Sequence, residues 1–217
     1  MIRSPIYSIA WRSAVMLLTV EIATVSALRY FTGSEAPPPP IVANAFAQPF
    51  LVVHVAGGVI ALLVGPLQFV RRIRARRPAL HRAAGLAYIL ACAIGAPAGF
   101  ILALGTTAGP VAAVGFAIPA ALWPVFTWLG YRAAVERRFA DHREWMLRSY
   151  ALTATAITLR LMLPAAAFLG LEFLPAYRVI AWLGWIVNLA LFEYYIRRSR
   201  ASPDSPRFGS LEQLART

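Results

Sequence analysis

Two of the three histidines in this sequence stand in similar surroundings that could carry redox chemistry. His81 opens the segment HRAAGLAY and His142 opens HREWMLRSY, so an arginine follows each of them. If each begins a membrane-spanning helix running in the same direction, the two imidazoles lie at one depth, as bis-histidine ligation of a haem iron requires. Arg82 and Arg143 would then pair with the haem propionates. The pattern predicts one b-type haem with His81 and His142 as metal ligands, although a histidine–arginine pair is also typical of an interfacial anchor.

A second set of ionisable residues, Glu21, His54 and Arg160, lies within otherwise apolar segments. Such groups are costly in a bilayer and usually face the interior of a helix bundle. Their positions place Glu21 near mid-depth and the other two in the half away from the arginine-rich loops. They could form a binding site or a structural ion pair. Gln68, at the end of the second apolar segment and close to the His81 end, is a further candidate binding residue.

The composition requires a membrane. The chain is 59% hydrophobic and 14% charged over 217 residues, more apolar than a soluble domain of this length could keep from water. Six apolar segments are long enough to cross a hydrocarbon core of about 30 Å. The sequence therefore predicts an all-α bundle of six transmembrane helices within residues 1–200, followed by a polar tail over 201–217. The six segments are 13–31, 49–70, 83–104, 111–131, 146–169 and 179–196.

The net charge of +12 comes from arginine alone, since all 21 basic residues are arginine. Eighteen of them fall on the side of both termini, Arg29 and Arg178 fall on the other, and Arg160 lies within a span. This asymmetry predicts that both termini are cytoplasmic, in the inner membrane of a bacterium. The arginine-rich stretch 71–82 lacks base-reading or stacking groups, so its predicted partner is anionic lipid and not nucleic acid.

Small residues and prolines mark the expected packing. Gly58 and Gly65 recur at sevenfold spacing on the second segment, as do Gly85, Cys92 and Gly99 on the third, which predicts that helix backbones approach closely there in lipid. Prolines at positions 97, 119, 124 and 164 are expected to kink their helices.

Three functions remain open. The first is a redox protein with one haem near the cytoplasmic face. The second is a small-molecule or proton-coupled transporter using Glu21, His54 and Arg160. The sequence shows no inverted repeat or pair of broken helices, which argues against a transporter. The third is a scaffold or assembly factor without chemistry. Whether the protein is an enzyme stays open, since the chain contains no GxSxG, CxxC, HExxH or GxxxxGK[ST] motif.

Three segments carry a family resemblance: HVAGGVIALLVGPLQF at 54–69, LHRAAGLAY at 80–88 and DHREWMLRSYALTATAITLRLMLP at 141–164. They resemble the bacterial membrane-protein family known as domain of unknown function 2306, over about residues 50–170. The resemblance implies a polytopic inner-membrane protein and assigns no activity. The residues that match the family's pattern are His54, Gly58, Gly65, Pro66, Gln68, Phe69, His81, Arg82, Gly85, Tyr88, His142, Arg143, Met146, Arg160 and Pro164.

A looser resemblance is to the six-helix di-haem cytochromes b, in which helices two and four hold one haem and helices three and five the other. His81 and His142 fall on the third and fifth apolar segments, as that scheme requires. The fourth segment contains no histidine, so at most one haem could form in this way.

Overall fold

The computed structural model describes residues 5–32 and 43–201, with side chains from residue 16 onward. These ranges are almost entirely helical. The four-proline segment within 33–42 and the tail from residue 202 lie outside the described residues. The elements in chain order are α1 (Pro5–Ala27), a short π-helical turn (Leu28–Thr32), α2 (Ala47–Gln68), α3 (Arg71–Arg76), α4 (Pro78–Leu104), α5 (Pro110–Val135), α6 (Phe139–Thr153), α7 (Thr155–Phe168) and α8 (Phe173–Ala201).

Five helices among the described residues are long and apolar enough to cross a membrane: α2, α4, α5, the combined α6 and α7, and α8. The exposure of the side chains of α4 is typical of a helix in lipid. Leu86, Leu90 and Ile94 are 54%, 53% and 60% exposed, whereas Ala91 and Cys92 are buried. Large apolar side chains outside and small ones inside suit a bundle surrounded by lipid, where small residues let helices approach closely. The predicted all-helical membrane class is confirmed.

The bundle has two distinct ends. Chain turns at 105–109 and 169–172 mark what we call the loop end, and turns at 69–77 and 136–138 mark the arginine end. The helices joined by the loop-end turns pack against each other, α4 against α5 and α7 against α8, as their short connections predict.

Gly57 and Gly95 set the closest approach between α2 and α4. A Cβ atom on Gly57 would lie 2.7 Å from the Ala91 carbonyl oxygen and 2.9 Å from the Cα atom of Gly95. The small-residue pattern predicted close packing for each of these helices, and in the structure they pack against each other. It was wrong about Gly58, because a Cβ atom there would have nothing within 4 Å.

The fifth predicted span is interrupted near its middle. The helical membrane segment starts at Phe139, earlier than residue 146, and breaks at Ala154 between α6 and α7. There the Ala154 carbonyl accepts the N–H of Ile157 at 2.9 Å and of Thr158 at 3.1 Å, a locally tightened turn. The predicted span is present, and the tightened turn within it was not predicted because no proline or glycine marks the position.

The arginine-rich stretch also differs from the predicted loop. Residues Arg71–Arg76 form the short helix α3, and α4 begins at Pro78, where the proline occupies the first turn and needs no N–H partner. His81 consequently lies inside the first turn of α4. His142 likewise lies inside the first turn of α6, because that helix begins at Phe139 and not at residue 146 as the apolar segment predicted.

Tryptophans of α8 satisfy carbonyl groups of α5. Pro119 has no N–H, so the carbonyl of Gly115, four residues earlier, lacks its helical partner. Trp185 donates its indole N–H to that oxygen at 3.0 Å, and Trp182 donates to the Val111 carbonyl at 3.0 Å. The proline therefore contributes a specific helix–helix contact.

The turn at the arginine end between α5 and α6 is held by ion pairs. Glu136 accepts hydrogen bonds from Arg132 at 2.8 Å and from Arg138 at 2.6 and 2.9 Å. The Arg138 hydrogen bonds, followed by that of Arg132, lower the pKa of Glu136. Its carboxylate is favoured in the folded protein by these two guanidinium groups.

Candidate binding cavity

A cavity of about 250 Å³ lies inside the bundle in the half nearest the loop end. It reaches from the end of α4, at Leu102 and Thr106, to the middle of α5, at Trp123. No aspartate or glutamate of the described chain lines it. The polar lining consists of a histidine, an arginine, two tyrosines, an asparagine and three threonines, among them His54, Arg160, Tyr30, Tyr177, Thr153 and Thr155.

His54 is held in one orientation by α4. Its Nδ1 atom lies 2.9 Å from the Gly95 carbonyl oxygen, and because a carbonyl only accepts, Nδ1 carries the hydrogen. A Cβ atom on Gly99 would lie 2.6 Å from Nδ1 and 2.7 Å from Cε1, so the ring fits against bare backbone. The other ring nitrogen, Nε2, is then left as a hydrogen-bond acceptor.

Arg160 enters the cavity from α7. Its NH1 atom donates to the Ala156 carbonyl at 3.1 Å, one turn back on the same helix. It forms no ion pair with any residue that the structure describes. Charge interactions link it to His54 and to the neighbouring Tyr30 and Arg29. A guanidinium thus stands in an apolar cavity without a carboxylate partner in the described ranges.

The three ionisable residues predicted to meet do not all do so. His54 and Arg160 line the same cavity, whereas Glu21 is exposed on α1 and does not line it. Gln68 lies at the arginine end and belongs to a different group of residues, described below.

Thr155 begins α7 directly after the helix break and also lines the cavity. Its Oγ1 atom is buried and has no hydrogen-bond partner in the described structure. An unpaired buried hydroxyl is uncommon in folded proteins, and a buried water molecule is the usual way to satisfy one.

The floor of the cavity is a ring of hydrogen-bonded side chains that joins α4, α5 and α6. Trp123 donates its indole N–H to Thr153 at 3.0 Å, and the Tyr88 hydroxyl lies 2.7 Å from Thr153 and 2.9 Å from Ser149. Ser149 lies 2.7 Å from Thr127, whose hydroxyl donates to the Trp123 carbonyl at 2.7 Å.

The direction of every bond in this ring follows from its two ends. Thr127 uses its only hydrogen on the Trp123 carbonyl, so Ser149 must donate to Thr127. By the same count Tyr88 donates to Ser149 and Thr153 donates to Tyr88. All donors therefore point one way around the ring, an arrangement in which each bond polarises the next.

The segment before α2 is pinned at the cavity mouth by Asn44. Its side chain donates to the Leu102 carbonyl at 2.7 Å and accepts the Phe46 N–H at 2.9 Å. The backbone N–H of Ala45 donates to the Gly105 carbonyl at 3.1 Å. These bonds tie the start of α2 to the end of α4.

The arginine end brings the two remaining histidines near each other, close enough for their charges to interact. His142 places Nδ1 2.8 Å from the Gly130 carbonyl, so its Nε2 atom carries a free lone pair. Gln68 contacts His81 in a different way. In the amide orientation that satisfies both of its polar atoms, Gln68 donates to the His81 carbonyl at 3.1 Å and to Nδ1 at 2.9 Å, while its oxygen accepts the Gly85 N–H at 3.3 Å.

These contacts give the two imidazoles different tautomers. An acceptor at Nδ1 puts the hydrogen of His81 on Nε2, so His81 does not offer that atom to a metal, whereas His142 does. Arg82 is exposed, and Arg143 donates to the Tyr195 hydroxyl at 3.1 Å. Haem and metal binding by His81 and His142 stays a prediction that this geometry does not favour, and the described residues contain no cluster of three metal-ligating side chains.

Several residues of the cavity were not identified from the sequence. Tyr30, Thr155 and Tyr177 come from three different helical elements, and no spacing in the chain relates them. Tyr88 was among the residues matching the family pattern, and polar residues inside apolar segments were the one signal that could have found the rest.

The five spanning helices and the cavity between them define an all-α polytopic membrane protein. The chain belongs to the family described as predicted membrane protein DUF2306, which it matches over residues 51–196, from the start of α2 almost to the end of α8. No curated protein and no solved structure matches the chain. The predicted family is confirmed, and the looser resemblance to cytochromes b is not.

Proposed function

We propose that this protein binds a small organic anion inside the membrane, as the first step of its transport. The observation that carries the proposal is Arg160, a cation lining a cavity to which the described chain contributes no carboxylate. A buried charge is costly unless it is paired, so an anionic ligand would stabilise the site that it enters.

The rest of the cavity defines the kind of anion. Leu51, Phe116 and Leu159 offer apolar walls, and the rings of Trp123 and Tyr177 add aromatic surface. A volume of about 250 Å³ suits a molecule of roughly ten non-hydrogen atoms, below the usual range for drug-sized ligands. A carboxylate on a compact apolar or aromatic body meets these conditions, because guanidinium and carboxylate can pair through two parallel hydrogen bonds.

The tightened turn at Ala154 lies in the cavity wall, since Thr153 and Thr155 on either side of it both line the cavity. A local tightening within a helix often marks a functional hinge, and transport would use such a hinge beside its binding site.

Binding is tested by calorimetry on the full-length chain in lipid nanodiscs. The probes are benzoate, its neutral analogue benzamide and the cation benzylamine. Of the three probes, we expect only benzoate to bind. Arg160→Gln should weaken the affinity for benzoate by about 10- to 150-fold, because a hydrogen bond to a charged group contributes about 1.5–3 kcal/mol. Arg82→Gln, which removes an exposed arginine at the other end, is the matched control. Equal binding of benzoate and benzamide would contradict the proposal.

Transport is tested separately by uptake of labelled benzoate into proteoliposomes. Uptake that requires Arg160 supports a transporter. Binding without uptake would limit the proposal to a receptor or sensor, and the absence of both would favour the scaffold hypothesis.

We also propose that α1 is a sixth membrane span and that both termini are cytoplasmic, in a bacterial inner membrane. Thr19, Ile22, Ala23 and Ser26 form a buried helical stripe on α1, whereas Leu17, Val20 and Val25 are exposed, as lipid-facing residues would be. The arginine asymmetry supports the orientation. The exposed arginines of α3 suit anionic lipid head groups, each adding about 1 kcal/mol near the surface. Accessibility labelling of cysteines placed at each turn tests the topology.

A further inference from the structure

We infer that the anion enters this cavity together with a proton, which His54 takes up on Nε2. The inference rests on the anion site proposed above and assigns it a coupling ion. It is carried by the orientation of the His54 ring and by the charge that faces it.

The ring is prepared to accept a proton at one atom only. Nδ1 already carries a hydrogen, which it donates to the Gly95 carbonyl at 2.9 Å. Nε2 holds the free lone pair and has no hydrogen-bond partner among the residues that the structure describes. Protonation at Nε2 would therefore leave the Gly95 bond and the packing against Gly99 unchanged.

Among the residues that the structure describes, the groups that share the cavity with His54 carry no negative charge. α7 contributes the Arg160 guanidinium, the π-helical turn and α8 contribute the neutral hydroxyls of Tyr30 and Tyr177, and α4 contributes backbone. α5 contributes apolar and aromatic side chains, among them Trp123. Arg29 is a second cation near Arg160. In the empty cavity an imidazolium would face a guanidinium in surroundings of low dielectric constant, which is unfavourable.

A bound carboxylate reverses this balance. Its negative charge offsets the guanidinium and leaves the imidazolium with a favourable neighbour, so a proton from solution adds to Nε2 and no covalent bond breaks. Linkage is reciprocal: if the anion favours the proton, the proton favours the anion by the same factor. The unit that enters the cavity is then electroneutral, one anion with one proton, and its movement across the membrane would carry no net charge.

The number of protons taken up is measured by titrating benzoate into the nanodisc-embedded protein at one pH in phosphate and in Tris buffer. The two buffers release different heats when they give up a proton, so the difference between the two binding enthalpies counts protons. We expect about one proton per benzoate, and an affinity that weakens by up to about tenfold per unit rise in pH.

The matched variant is His54→Asn, whose amide N–H can replace the Nδ1–H donor to Gly95 but cannot take up a proton. We expect it to bind benzoate with no buffer-dependent enthalpy. Wild-type binding with no proton uptake would overturn this inference and leave the anion site standing. No binding of benzoate by the wild type would remove both. If His54→Asn does not fold, the pH dependence of wild-type affinity decides alone, because a flat profile is incompatible with proton uptake.

Discussion

Replacing Tyr88 with phenylalanine removes one buried hydroxyl from the ring beneath the cavity and leaves the aromatic ring in place. Tyr88 is 1% exposed, and its neighbours Ser149 and Thr153 are 0% and 5% exposed, so water has little access to the broken bonds. The substitution therefore reports on hydrogen bonding with little change in packing.

The magnitude follows from the two bonds that the hydroxyl makes. It accepts from Thr153 at 2.7 Å and donates to Ser149 at 2.9 Å, and each such bond contributes a net 0.5–1.5 kcal/mol, about 1–3 kcal/mol in total. Thr153 can turn its hydrogen to the Ser149 carbonyl, which lies 3.3 Å away. This recovers part of the loss, so we expect a cost of about 2 kcal/mol.

Cys92 supplies the assay, because it is the only cysteine of the chain and is fully buried. A thiol reagent reaches it only when the bundle opens, so the labelling rate in nanodiscs under fast-reclosing conditions reports the free energy of opening. A loss of 2 kcal/mol should accelerate labelling by about 30-fold. Tyr131→Phe, which removes a hydroxyl at an exposed position, is the control. A rate for Tyr88→Phe equal to that of the wild type would refute the donor ring.

Three further predictions concern other parts of the bundle. Gly57→Ala should destabilise the protein by about 1–3 kcal/mol through overpacking against α4, whereas Gly58→Ala, with open space before it, should melt like the wild type in a thermal scan. Glu136→Gln should flatten the loss of stability on acidification. A carboxylate with a lowered pKa stabilises the fold above its unfolded pKa of about 4.3, and this contribution is lost as the pH falls through the lower folded value, so melting temperatures against pH test it. Protein purified from haem-replete cells should show no Soret band that disappears in both His81→Ala and His142→Ala, and a band that does so would contradict the tautomer assigned to His81.

The sequence predicted those features that depend on composition and on single polar residues. Long apolar segments have few folds available to them other than membrane-spanning helices, because backbone groups in lipid must bond within the segment. Likewise a histidine or arginine in such a segment tends to face the interior, which is why His54 and Arg160 could be selected and why both line the cavity.

Features that depend on contacts between particular helices could not be predicted in this way. Gly57 and Gly58 are adjacent and chemically identical, yet only the rotation of α2 against α4 decides which one packs and which one lines the cavity. The break at Ala154 has no proline or glycine to announce it, and Glu21 lies outside the cavity because of how α1 turns.

The sequence by itself determined that this is a helical membrane protein and that charged or titratable groups such as His54 and Arg160 within its spans would need polar surroundings, because the costs of burying apolar and charged groups are properties of the residues. The tertiary structure alone decided which of those residues share a cavity, which tautomer each imidazole adopts and which way the hydroxyl ring of Tyr88 points. Those properties depend on partners from helices distant in the chain, and hydrogen bonds are made only at short range and in defined directions.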